Sequence, residues 1–224
     1  MLKNRQEKEM QFLEKRFTEL SRLAYQRDII TYSDFLNLSE QNILHTLPKD
    51  KLFTRTVSFG GYSTAERQMA AFIPDALYLR WGKKNAVPED IDYPFHVLKI
   101  APLNKKFAEE LSHRDYLGAV LNLGIERSKT GDILVDGNNA LIFVHRDMTE
   151  VILRELTRVR HTSVRVDEIP VSEISYEPAC EEIRGTVASV RLDSLLALAF
   201  SSSRTRLTGL IEGEIGRASC RERV

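Results

Sequence analysis

Cysteine is nearly absent from this 224-residue chain, occurring only at Cys180 and Cys220. Cys220 falls in the tail 214–224, EIGRASCRERV, which reads as the in-frame translation of a sequencing-adapter oligonucleotide rather than as a natural segment. With 215–224 set aside, Cys180 stands alone, which excludes an internal disulfide and a cysteine-rich zinc site. Long apolar runs are missing as well. The run at 195–200 is far shorter than the ~20 residues that span a bilayer, and the N-terminus MLKNRQEKEM has no apolar signal region. No integral membrane segment is expected, and a cytoplasmic location is the default. Charge of one sign is also lacking. The chain has 32 basic and 32 acidic residues, and discounting 215–224 removes three arginines and one glutamate to leave 29 against 31. Overall charge alone does not suggest nucleic acid.

Catalytic signatures are equally scarce. Gly60-Gly61 stands without GxGxxG or GxxxxGK[ST] around it and reads as a turn. His-Arg-Asp occurs at 113–115 and 145–147, but a kinase catalytic loop would place asparagine where Val120 and Ile152 stand, and there is no DFG. The histidines His45, His96, His113, His145 and His161 show no HExxH spacing and no partner cysteines. No catalytic residue, metal ligand or cofactor is therefore expected, and the chain reads as a non-enzyme.

What is present is an ordinary globular composition, 42% hydrophobic and 29% charged, enough for one large or two modest domains. From 5 to 27, Met10, Leu13, Phe17, Leu20 and Ala24 recur at steps of three and four, the mark of an amphipathic helix whose mixed charges suit a solvated face. A second helix is expected from Ser39 to before Pro48. Residues 54–59 alternate as a strand, and Ser63 with Glu66 fits a capping box for a helix running to about Phe72. Pro74 closes this first unit.

The next unit, 75–170, is organised around 112–136, SHRDYLGAVLNLGIERSKTGDILVD. Ser112 and Asp115 begin a helix, Tyr116, Leu117, Val120, Leu121 and Leu123 give it an apolar face, and Gly124 ends it. Strands are expected at 96–101, 133–135, 140–144 and 163–166, with a hairpin turn at 136–139 and a helix from about 148 to 159 carrying Val151, Ile152, Leu156 and Val159 on one side. The order βαββαβ is the ferredoxin-like pattern, an antiparallel sheet with two helices on one face. RNA-recognition domains of this topology stack bases on aromatics of the other face. Neither HVLKIA nor ALIFV carries that aromatic-rich signature. Arg114, Arg127 and Lys129 could hold phosphates or belong to a solvated loop, and the residues alone favour neither.

Residues 171–182, VSEISYEPACEE, are acidic and without period, and read as a linker. From 184 to 213 the sign reverses locally, with Arg184, Arg191, Arg204 and Arg206 against Asp193 and Glu212. One helix opens at 191, the serine run 201–203 breaks it, and a second covers 204–211.

The blocks Ser-His-Arg-Asp-Tyr-Leu-Gly-Ala and Leu-Gly-Ile-Glu-Arg-Ser-Lys-Thr-Gly-Asp-Ile closely resemble the YlmH-like family of bacterial RNA-binding proteins, as does FGGYSTAERQMAAFIPD. The resemblance runs from the first helix to about Gly213. The two short helices with arginines at their junction resemble the S-four RNA-binding domain, named for a small-subunit ribosomal protein. That resemblance implies contacts to phosphates or sugars from Arg191, Ser203, Arg204, Thr205 and Arg206. Arg191-Leu192-Asp193 also resembles the catalytic aspartate motif of pseudouridine synthases, but it lies inside the S-four-like helix, and no separate synthase domain fits in the rest of the chain.

The expected class is α+β. It comprises a mixed α/β N-terminal domain (1–74), a ferredoxin-like middle domain (75–170), a linker (171–183), a truncated S-four domain (184–213) and the adapter-like tail (214–224). The family resemblance implies a monomer that binds ribosomal RNA, and peptidyl-tRNA, on the large ribosomal subunit in rescue or quality control, with no DNA partner. A cell-division role through protein contacts is the alternative it leaves open.

Overall fold

Residues 2–80, 91–174, 176, 182–187 and 189–212 are described by the computed structural model. Cys180, Cys220, most of the second half of the expected linker and the adapter-like tail lie outside them. Contacts divide the chain into two units, 1–176 and 177–224. Both antiparallel sheets and most of the helices belong to the first.

The first unit opens with α1 (Leu2–Arg27), β1 (Thr31–Leu36) and α2 (Leu38–Thr46). Asn37 caps α2 reciprocally, its side chain accepting from the Glu40 amide while the Glu40 carboxylate accepts from the Asn37 amide. β2 (Arg55–Phe59) and β3 (Gln68–Ile73) follow, and the three strands form a sheet in the order β1-β3-β2. One face of this sheet buries Ala70 and Phe72 against Phe17, Leu20 and Ala24 of α1 and Leu44 of α2. The amphipathic period of the first helix thus points at a strand pair.

The helix expected from Ser63 to about Phe72 is not formed, and this is a correction. The segment is a turn leading into β3, the central strand, whose residues 69–73 are all buried. A strand buried on both faces gives a continuous apolar run, which periodicity cannot tell from a buried helix. The amides of Glu66 and Arg67, which a helix start would have used, donate instead to the Asp132 carboxylate at 2.7 and 3.1 Å.

After α3 (Asp75–Arg80) come β4 (Phe95–Pro102), α4 (His113–Leu121), β5 (Thr130–Asp136), β6 (Asn139–His145), α5 (Thr149–Glu155), β7 (Arg158–Val159) and β8 (Thr162–Ile169). The sheet order is β5-β6-β4-β8-β7, all antiparallel, so its four long strands take the ferredoxin-like arrangement. Ser112 starts α4 with its amide and hydroxyl both donating to Asp115, at 2.8 and 2.7 Å. Gly124, at φ +81°, follows its end, and Gly137, at φ +55°, lies in the two-residue turn between β5 and β6. α5 stops at Glu155, short of the expected 159. Val159 is fully buried, but on β7, because the chain turns at Arg160 (φ +50°) to pair Val159 with Thr162.

Alternation divides the five-stranded sheet cleanly. Leu98, Ile100, Ile133, Ala140, Ile142, Val144 and Val164 face Tyr116 and Val120 of α4 and Ile152 of α5. Phe95, Val97 and Phe143 face the other way and share a core with Phe35, Met69, Ala71 and Ile73 of the three-stranded sheet. The expected boundary at 74/75 therefore separates two sheets but not two cores. The start of the expected linker also packs here. Val171 and Ile174 join this core, and Tyr176 meets Tyr62 edge-on at 5.3 Å.

The seam is closed by aromatics and a polar clasp. Phe35 and Phe143 flank Phe95 at centroid distances of 5.6 and 6.2 Å, and Tyr62 lies 5.5 Å from Phe143. Gly61 and Gly131 allow this approach, since a β-carbon on either would collide with the Phe143 side chain. Beside them the Asp132 carboxylate also accepts from the Tyr62 hydroxyl at 2.8 Å. Burial and the adjoining carboxylate push the Tyr62 phenol far above its usual range, so it remains a donor. The Arg67 guanidinium completes the clasp by donating to the carbonyls of Thr130, Phe35 and Arg127.

Replacing Asp132 with alanine leaves two backbone amides without their acceptor. Urea denaturation should show a loss of roughly 2–4 kcal/mol, against about 1 kcal/mol for Tyr62→Phe. Equal losses for the two variants would refute the clasp as described.

Candidate nucleic-acid interface

The second unit contains α6 (Leu192–Ala199) and α7 (Arg204–Glu212), packed on one another. Arg191 caps α6 through its carbonyl, which accepts from the amides of Ser194 and Leu195, while its exposed guanidinium reaches Asp193 at 3.2 Å. Gly185 lets the preceding chain pass close over Leu198, where a β-carbon would collide.

The corner between the helices is built from the serine run. Ser201 has φ +46°, and the amides of Ser201 and Ser202 donate to the carbonyls of Leu198 and Ala197. That pair of bonds is a Schellman termination, with serine in the left-handed position where glycine is usual. Ser203 then caps α7, its hydroxyl accepting from the Arg206 amide at 3.3 Å. Arg204, Thr205 and Arg206 are consequently the first turn of α7, and all three side chains are exposed. The first turn holds no acid. Two cations sit at the positive end of a helix, where charge–dipole repulsion disfavours them. An anion bound there would relieve that repulsion and meet the helix amides.

Arg191, Ser203, Arg204, Thr205 and Arg206 are thus all exposed, at the starts of two consecutive helices. The three candidates in the first unit are dispersed. Arg114 is exposed in the first turn of α4. Arg127 is turned inward, donating to the carbonyls of Thr130 and Gly131 at 2.7 and 2.9 Å. Lys129 is mostly covered and pairs with Asp34 of β1 at 2.6 Å. Lys129 therefore ties the start of β5 to the other sheet, while Arg127 braces the turn into β5. The aromatic face used by RNA-recognition domains is covered, because Phe95 and Phe143 lie in the shared core.

Two residues that sequence reading missed join Arg114. Arg158 and Arg160, both exposed, line an open groove of about 540 Å³ beside α4. Local sequence places both at the end of a helix, and only the reversal at Arg160 sets them on a hairpin.

Residues 88–173 match the family described as "Putative RNA-binding domain in YlmH". The "Ribosome-associated protein quality control protein P2" of Bacillus subtilis (strain 168) is 27% identical over 195 residues, covering 87% of this chain and 71% of that protein. The middle of the chain thus resembles the YlmH RNA-binding domain. The solved structure of "Cell division protein ylmH from Streptococcus pneumoniae" agrees in fold, with a TM-score of 0.59 at 22% identity over 74% of this chain and 93% of the other. The matched domain is the one whose sheet is closed by the N-terminal strands, so any RNA contact there would fall outside the covered aromatics.

Ser201→Gly should relieve the left-handed strain and raise stability by about 1 kcal/mol in a denaturant titration, and an unchanged or lower midpoint would contradict the corner as described. Asp115 gives a pH test. Hydrogen bonds from Ser112 hold its carboxyl below the ordinary value despite partial burial, and Arg160 adds to this. Its contribution is present above pH ~4 and is lost as pH falls through the lowered folded-state value. The stability difference between wild type and Asp115→Asn should therefore shrink in acid, and a difference constant from pH 7 to 2 would contradict this account.

Proposed function

We propose that this chain binds RNA of the large ribosomal subunit through the start of α7 and the preceding Arg191, in rescue or quality control of complexes that still carry peptidyl-tRNA. The observation that carries the reading is the exposed Arg204-Thr205-Arg206 turn at a helix N-terminus, with no acid in that turn. Such a turn offers guanidinium forks, a hydroxyl and amides to phosphate oxygens and reads no sequence by itself. The unit would be of the S-four type. The ribosome-associated name of the Bacillus subtilis relative supports the subcellular partner, and the matched RNA-binding family supports the ligand.

The alternative role in cell division through protein contacts rests on the name of the Streptococcus pneumoniae protein. The two readings differ in salt response. Under the RNA reading, co-sedimentation with purified large subunits should fall steeply between 50 and 200 mM salt. The Arg204→Ala/Arg206→Ala variant should weaken it about tenfold or more. Binding insensitive to both salt and these substitutions would reject RNA in favour of a protein partner.

A further inference from the structure

We infer that the groove between α4 and the β7–β8 turn is a second RNA-backbone site, used by the first unit independently of α6 and α7. This rests on the reading that the chain binds RNA. The groove of about 540 Å³ is rimmed by Arg114, Arg158 and Arg160, with Gly118, Asn122 and Thr157 among the residues lining it. All three arginines are exposed. Its two acids are already engaged: Asp115 takes the Ser112 amide and hydroxyl and faces Arg160 at 3.6 Å, while Glu155 takes Arg154 at 2.8 Å. Three guanidinium groups against two carboxylates leave the groove lining with an excess of positive charge.

Two groove residues are poor choices for the fold itself. Gly118 sits inside α4, where glycine is disfavoured by backbone entropy, yet a β-carbon there would meet nothing within 4 Å. No internal packing calls for the missing side chain. Arg160 occupies φ +50°, a conformation that costs any residue except glycine, at an exposed turn. One residue clears the surface of the helix, and the other lifts a guanidinium over it. Strain and reduced helix propensity gathered at one basic groove point to a ligand that needs close backbone approach and cationic contact. A sugar-phosphate backbone fits both requirements. The amide of Asn122 and hydroxyl of Thr157 add neutral donors of the kind that contact phosphate and ribose.

The test separates folding from binding. Gly118→Gln and Arg160→Gly should each melt at or above the wild-type temperature, because both relieve a local cost. Each should nevertheless weaken binding of the full chain to protein-free 23S ribosomal RNA and to large subunits severalfold. Arg158→Glu/Arg160→Glu should weaken both by tenfold or more. It should also reduce the slope of log affinity against log salt by about 0.7–0.9 for each phosphate that is no longer neutralised. Wild-type RNA binding that these variants leave intact while Arg204→Ala/Arg206→Ala abolishes it overturns the groove and spares the proposed function. Absence of salt-dependent RNA binding by the wild type overturns both. Loss of subunit binding with unchanged affinity for the protein-free RNA would assign the groove to an acidic protein segment and reject an RNA ligand.

Discussion

A five-stranded antiparallel sheet with helices on one face leaves its other face to be covered or wetted, and in this chain Phe95, Val97 and Phe143 on that face are buried. Water is displaced there by a second sheet, and the free energy of burying large apolar side chains, about 1.5–3 kcal/mol each, favours one joint core over two separate ones. The rest of the first unit follows from this seam. Gly61 and Gly131 must be glycine to let the layers close, and Asp132 must turn inward to satisfy the Glu66 and Arg67 amides that the approach would otherwise strand. Arg67, Arg127 and Lys129 are drawn in by carbonyls and a carboxylate at the same edge.

This closure limits where the first unit can meet a ligand. A ferredoxin-like sheet whose open face is covered cannot stack bases on it. Contact with a polyanion must come from exposed guanidinium groups on helix starts and turns, where affinity is electrostatic and sequence readout is weak. The chain is short of net positive charge, so placement matters more than number. Arg204 and Arg206 stand at the positive end of α7, and Arg158 and Arg160 on a hairpin beside a bare stretch of α4.

The same positions show where local stability has been set aside. Ser201 and Arg160 hold left-handed backbone without being glycine, Gly118 interrupts a helix without a packing reason, and two cations oppose a helix dipole. Elsewhere the choices agree with the fold. Asn37 and Glu40 cap reciprocally, Ser112 and Asp115 begin α4 together, and Gly137 takes a positive φ where the hairpin requires it. Agreement through the core and departures at two basic surfaces are what a binding protein with a rigid scaffold would show.

Elements whose signals are local were legible in the amino-acid sequence alone. The helical period of Leu13, Phe17, Leu20 and Ala24, the caps of α4, the Gly137 turn, the short apolar runs of β4 and β6 and the serine break before Arg204 depend on neighbours a few residues away. The βαββαβ order follows from them. Features that depend on a partner distant in the chain took shape only on folding. Whether 69–73 is strand or helix was settled by β1 and β2 on either side. Arg127 and Lys129 became structural because carbonyls at 130–131 and Asp34 compete with solvent for their charge. The groove arose only when the chain turned at Arg160 and brought Arg158 beside α4, since a positive charge in a one-dimensional string carries no record of which surface it will share.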